Sequence, residues 1–297
     1  MWPMLPKELF SSLNVNNGVD MKCLFRNKKE MSLRDIQMVS LDIMVVIDEF
    51  CLRNNINYSL GYGALIGAVR HHGCIPWDDD IDIIITRPEY QKLLKLFNED
   101  EKVRLGGVKL YAPELGNCFF PIARICDLKR TKVHKDYQWT DDETGVWIDV
   151  FVLDAFSEEY RKKMQVINSS CLKSCATNVH LSSEISFIKN VKFLRRRFLN
   201  YRFKDRNQYI DNYLKEIKEL SCENSQKLGC FASPYKTDIH RKELFNKYIR
   251  VSFEDCKFCI IASYDEYLRN IYGDYMVLPP IEKRVRGHSL NTYWWIR

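Results

Sequence analysis

Long apolar runs are missing from this chain of 297 residues. No uncharged stretch reaches the roughly 20 residues that cross a bilayer, which argues against a membrane-spanning helix. Low-complexity tracts and internal repeats are also missing, so neither a solenoid nor a long flexible linker is expected. Charge of one dominant sign is lacking too: 45 basic and 39 acidic residues leave a formal +6. That balance suits anionic substrates or an anionic surface and speaks against a dedicated nucleic-acid binder. No basic leader precedes the apolar start MWPMLPKELF, which two prolines interrupt, so no secretory signal is expected. The eleven cysteines follow no disulfide-framework spacing, and a cytoplasmic protein with reduced thiols is the expectation. Cys256 and Cys259 have half of a zinc spacing, but no second pair or nearby His pair completes it. Cys171 and Cys175, one helical turn apart, read as packing residues.

What is present suffices for one large domain or two modest ones, with 46% hydrophobic and 28% charged residues. Residues 1–31 have weak periodicity and read as a loosely attached lead-in. From Ser32, a possible cap, apolar residues recur at helical steps through Leu33, Ile36, Val39, Ile43 and Phe50. Ile56, Tyr58 and Leu60 alternate into a strand that ends at Gly61, Ala64–His71 reads as a short helix, and Ile81–Ile85 reads as a buried strand. Thr86 and Pro88 open another helix. Strands are expected near 119–126 and 147–152, and helices at 187–203, 209–220 and 263–272. The expected class is α+β: a catalytic half over 32–155 and a largely helical half over 156–297 wrapped around or beside it.

The chemistry concentrates in GYGALIGAVRHHGCIPWDDDIDIII, Gly61 to Ile85. Asp78, Asp79, Asp80 and Asp82 crowd the mouth of a strand bound for the core, where carboxylates repel one another and pair poorly. Side chains alternate along a strand, so Asp80 and Asp82 project to one side with Cβ atoms about 6–7 Å apart. A Mg²⁺ or Mn²⁺ ion would neutralise such a pair and keep positions open for phosphate oxygens. GVWIDVFVLD offers Asp149, an isolated acid in an apolar strand, as a third ligand. The bland alternative is a solvated acidic turn with Asp149 a paired core acid. Just upstream, Gly61 and Gly63 allow a sharp strand-to-helix turn whose amides could approach an anion.

These residues resemble the LicD family of phosphocholine transferases, which is similar in turn to the fukutin-type transferases. The likeness rests on LGYGALIGAVRHHGCIPWDDDIDI, GVWIDVFVLD and YDEYLRNIYGDYMVLPPIEKRVRGH, in that order along nearly the whole chain. It implies a nucleotidyltransferase-like mixed sheet with flanking helices. It also implies metal-binding roles for Asp80, Asp82 and Asp149, with Asp78 orienting them and Asp79 the most dispensable of the group. The reaction implied is transfer of a phospho-alcohol, typically phosphocholine from CDP-choline, to a sugar hydroxyl of a surface glycan of lipopolysaccharide or teichoic-acid type, with release of CMP. Transfer of ribitol, glycerol or ethanolamine phosphate, nucleotidyl transfer, and a binding module without turnover stay open as alternatives.

Several other residues become candidates on this reading. Arg70 is either a phosphate clamp or a surface Arg paired with one of the acids. Lys283, Arg284, Arg286 and His288 form a basic cluster after a Pro-Pro turn, suited to a phosphate or acceptor contact or simply solvated. Trp77 either stacks on a base or a quaternary ammonium or shapes the turn after Pro76. The basic helix 187–203 is expected to bury its apolar stripe in the core; the rival expectation is peripheral contact with the inner face of a membrane carrying a lipid-linked acceptor.

Overall fold

The computed structural model describes residues 29–135, 137–177, 187–218, 225–287 and 292–296. Most of the expected lead-in and His288 therefore lie outside the described residues. The first helix, α1 (Leu33–Arg53), starts where its sequence says. Ser32 accepts from the Asp35 amide at 3.2 Å, and Asp35 accepts from the Ser32 amide at 2.9 Å. This reciprocal cap satisfies two amides that a helix start leaves open. Ile36, Val39, Ile43, Ile47 and Phe50 are buried along one face, each contributing about 1.5–3 kcal/mol relative to exposure.

A mixed seven-stranded sheet forms the centre. Its strands are β1 (Ser59–Leu60), β2 (Asp82–Thr86), β3 (Val108–Tyr111), β4 (Ala123–Asp127), β6 (Trp147–Ala155), β7 (Lys227–Gly229) and β8 (Ile239–Arg241). The main path runs β1-β2-β6-β4-β3, while β7 pairs with the end of β6 and with β8. Only β2 and β6 pair in parallel along the main path. Strand β5 (Thr131–His134) pairs separately with β11 (Thr292–Trp295). Between β1 and β2 come α2 (Tyr62–Ile66) and a π turn over Gly67–His71. Helices α3 (Arg87–Leu96) and α4 (Glu101–Gly106) lead into β3. A buried ion pair ties α3 to the end of β6: Arg87 donates to both Asp154 oxygens at 2.6 and 2.7 Å.

The expectation of a largely helical C-terminal half needs correction. Helices α5 (Glu158–Thr177), α6 (Phe187–Leu199), α7 (Arg206–Lys218) and α8 (Tyr264–Tyr272) are present. Between α7 and α8, however, come β7, β8 and the hairpin β9 (Tyr248–Phe253) and β10 (Cys256–Ile261). These strands escaped notice because β7 and β8 are three residues long and only Phe253 of β9 is buried, so apolar alternation is weak. β7 enters the central sheet through Asp154 and Ala155, so the sheet crosses the boundary expected at 155. Cys256 and Cys259 lie at odd separation on β10 and so project to opposite faces, which removes them as a ligand pair. Cys171 and Cys175 are buried in packing. Gly273 ends α8 with a φ of 69°, a conformation that favours glycine.

A second correction concerns α6. Its stripe does not enter the core: Phe193 is buried, but Phe187, Val191, Leu194 and Phe198 are exposed. The sequence shows which side chains share a face, but the choice of face that packs is made by Phe193, which meets Trp294. No helix among the described residues is long and apolar enough to cross a membrane.

Candidate active site

The parallel pairing of β2 with β6 sets Asp82 opposite Asp149. The antiparallel pairing of β6 with β4 sets Arg124 opposite Asp149, and that of β4 with β3 sets Tyr111 opposite Arg124. Opposed residues share a sheet face and neighbouring strands lie about 4.8 Å apart. Asp82, Asp149, Arg124 and Tyr111 thus make one polar row across the sheet. Arg124 Nε donates to Asp149 Oδ1 at 2.6 Å, and Trp147 Nε1 donates to Oδ2 at 3.2 Å. The guanidinium carbon is 4.7 Å from the rings of both Trp139 and Trp147. Burial opposes the charge on Arg124, but Asp149 beside it more than compensates and raises its pKa. Sequence reasoning missed Arg124. Its signal was the one that singled out Asp149, a lone charge in an apolar strand, here in PIARIC.

Asp78, Asp79 and Asp80 occupy the loop before β2, and their oxygens come within 4.8 Å of one another. That triangle shares Asp80 with the Asp80, Asp82 and Asp149 set put forward from strand geometry, in which Asp149 is itself paired with Arg124. Partners from distant elements fix the loop. Gln37 of α1 donates to the carbonyls of Ile75 and Asp78 at 3.1 and 2.8 Å, and Glu254 accepts from the Cys74 amide at 3.1 Å. Asp79, ranked most dispensable, is fully buried and accepts from Arg286 Nε at 2.5 Å. It anchors the C-terminal segment to the acidic loop. The Asp82 carboxyl is pushed well above the usual carboxylate range, first by burial and then by Asp80, Asp149 and Asp78, with Arg124 opposing.

The two glycines of the turn are called for by close packing. A Cβ on Gly61 would meet Ile84 Cγ2 at 2.8 Å, and one on Gly63 would meet Asp78 Oδ2 at 2.5 Å. Both glycines make room, the first for β2 and the second for a carboxylate. The Gly61 amide donates to the Asp82 carbonyl at 2.8 Å and so holds the turn beside the acid.

Two cavities meet at the acids. One, of about 470 Å³, is lined by Arg70, Trp77, Asp78 and Tyr272; the other, of about 240 Å³, by Phe120, Arg124, Tyr137, Trp147 and Asp149. Asp80, Asp82 and Phe151 line both. Among the described residues Arg70 pairs with no acid; it donates to the carbonyls of Tyr275 and Val277 at 2.5 and 3.4 Å. Its pKa is lowered by burial and by Arg284. Arg284 lies 5.4 Å from the Trp77 ring, so that ring already carries a cation. Lys283 is exposed and lines neither cavity. The donor set fits a hard divalent cation: Asp78, Asp79 and Asp80 bring oxygens within 4.8 Å of one another, and Asp82 next to them has no cationic hydrogen-bond partner among the described residues.

Comparison with known proteins follows the same residues. Residues 55–179 match the family described as LicD/FKTN/FKRP, nucleotidyltransferase domain. The chain is 28% identical over 283 residues to the lipopolysaccharide cholinephosphotransferase LicD of Haemophilus influenzae, an alignment covering 89% of this chain and 99% of that protein. An uncharacterised protein of Rickettsia typhi is 44% identical over 54 residues, which is 17% of this chain and 18% of that one. An uncharacterised protein of Rickettsia prowazekii is 42% identical over 55 residues, 18% of this chain and 21% of that one.

Proposed function

We propose, from the match of residues 55–179 to the LicD/FKTN/FKRP nucleotidyltransferase domain, that this chain is a phosphotransferase that moves phosphocholine from CDP-choline to a sugar hydroxyl of a lipopolysaccharide-type glycan, releasing CMP. The observation that carries this reading is the meeting of two cavities at Asp80 and Asp82. A transfer between two substrates needs two pockets that open on one reacting centre.

The larger cavity suits the donor. Arg70 supplies a cation toward the diphosphate, and Tyr235 and Tyr272, 5.1 Å apart edge to face, offer π surfaces for a quaternary ammonium. The smaller cavity suits the sugar, with aromatic walls from Phe120 and Trp147 and a polar floor from Asp149. Asp80, Asp82 and Asp149 would hold Mg²⁺ or Mn²⁺, which supplies charge neutralisation for the donor phosphates and for CMP as it leaves. Asp149, held in direction by Arg124 and Trp147, orients the acceptor hydroxyl and takes its proton. The hydroxyl oxygen then bonds to the phosphorus that bears choline. The bridging P–O bond of the diphosphate breaks, and CMP departs with that electron pair.

The test is CMP release from CDP-choline, CDP-ribitol, CDP-glycerol and CDP-ethanolamine with a lipopolysaccharide acceptor, with EDTA and after magnesium is restored. Preference for CDP-choline and loss of turnover in EDTA are expected. Preference for another donor reassigns the alcohol, and failure with all four removes the reading.

A further inference from the structure

Helix α6 is mounted with its apolar side outward. Lys189, Asn190, Phe193 and Arg196 form the side that packs on the protein: Phe193 is buried against Trp294, and Lys189 donates to Thr292 Oγ1 at 2.7 Å. The opposite side carries Phe187 at 81% exposure, Leu194 at 54% and Phe198 at 81%, with Ile188, Val191 and Leu199 also exposed. A surface helix of a globular protein turns its apolar stripe inward, so this arrangement calls for an occupant.

Charge narrows the choice of occupant. Residues 187–204 contain Lys189, Lys192, Arg195, Arg196, Arg197, Arg202 and Lys204 and no acid. A second copy of this segment would bring like charges together. The chain's own residues 1–28 carry four basic and two acidic side chains, a net +2, and offer no complement either. An anionic bilayer matches both features, since apolar side chains enter the acyl boundary while Lys and Arg meet the headgroups. At 13 residues the helix is about 20 Å long, enough to lie in an interface and too short to span one.

We propose that α6 docks this protein flat on an anionic lipid surface through Phe187, Ile188, Val191, Leu194 and Phe198. The helix adjoins the site: the Arg196 guanidinium lies 4.5 Å from the Tyr137 ring, and Tyr137 lines the smaller cavity. Docking therefore holds that cavity next to the membrane surface, where an acceptor anchored in lipid would be concentrated.

The test is co-sedimentation of the full-length chain with vesicles of phosphatidylcholine alone, or with about one lipid in three replaced by phosphatidylglycerol. It is run at low salt and at about 0.5 M salt, where the Debye length falls to ~4 Å. Binding to anionic vesicles only, weakened by salt, is expected. The double variant Leu194→Ser, Phe198→Ser should lower partition about tenfold or more and leave the melting temperature unchanged, because both side chains face away from the protein. No binding to anionic vesicles overturns the proposal, as does equal binding by wild type and variant. Sedimentation velocity showing a wild-type dimer that the variant dissolves also overturns it, in favour of a second copy. None of these outcomes depends on the donor or on turnover.

Discussion

Asp82→Asn should make the protein more stable while it removes activity. Asp82 and Asp149 are opposed on adjacent strands, so their charges lie roughly 5 Å apart. At an effective dielectric of about 20, that repulsion is about 3 kcal/mol. Arg124 pairs with Asp149 and offsets part of it, leaving about 1–3 kcal/mol to be relieved by a neutral amide of the same shape. For a 297-residue chain the unfolding entropy is near 0.6 kcal/mol per degree, and the gain corresponds to about 2–5 °C in Tm. The pH dependence fixes the sign. The folded pKa of Asp82 is raised, so the wild type bears no penalty below the usual carboxylate value of 3.8 and a growing one as pH rises toward and through the folded value. The variant's advantage should vanish near pH 4 and be largest at neutral pH and above.

Differential scanning fluorimetry of both proteins across pH, with and without magnesium, carries the test. A cation bound at 100 times its Kd would stabilise the wild type by about 2.7 kcal/mol, and the variant should show much less of that shift. CMP release should fall by about 100-fold or more. A variant that melts below the wild type, or that responds to magnesium equally, would refute the view that these acids are held together against their own repulsion for a cation.

Three further outcomes are expected. Arg124→Ala leaves Asp149 buried beside Asp82 without its ion partner and should cost about 3–5 kcal/mol in urea denaturation; a loss under 1 kcal/mol would show that the pair is incidental. Lys135, over the Trp139 ring, is pushed by burial from 10.5 down to about 8, so its cost to the fold is full below pH 8 and fades as pH rises toward 10.5. Lys135→Met should remove that rise in Tm, and an unchanged profile would contradict the assignment. Arg70→Ala should raise the KM for CDP-choline about tenfold with a smaller change in kcat; a kcat loss at constant KM would place Arg70 in the chemical step instead.

The parts of the site readable in sequence are those whose environment is local. Ser32 and Asp35 cap α1 within one turn, and the isoleucines that follow Asp80 and Asp82 announce a buried strand carrying acids at its mouth. Asp149 stood out as a lone charge among apolar neighbours. What stayed hidden depends on partners far along the chain. Arg124 acquires its role only when β4 pairs with β6, and Gln37 only when α1 lies under the acidic loop. Asp79 owes its burial to Arg286, more than 200 residues away. The short strands β7 and β8 draw on pairing with β6 and not on their own pattern. Even α6 was found correctly as a helix while its orientation was not, because periodicity names a face and tertiary packing chooses which one to bury.

The cations around the acidic centre are placed unevenly, and that unevenness is itself informative. Asp149 is met by Arg124 on one side of the row, and Asp79 by Arg286 beneath the loop. Asp82 stands opposite Asp149, and of the charges acting on it three are carboxylates that raise its pKa while Arg124 lowers it. Were the cluster only structural, the simplest stabilising change would be a neutral residue at this position, since each neighbouring acid already has a reason to stay. The fold instead keeps the uncompensated charge at the point where the two cavities open on each other. An excess of negative charge confined to that point, with its flanks neutralised, attracts a small multivalent cation and little else. The Arg124 pair then has a second consequence: it limits how much charge the cation must balance, so that donor phosphates can still bind the cation from the other side.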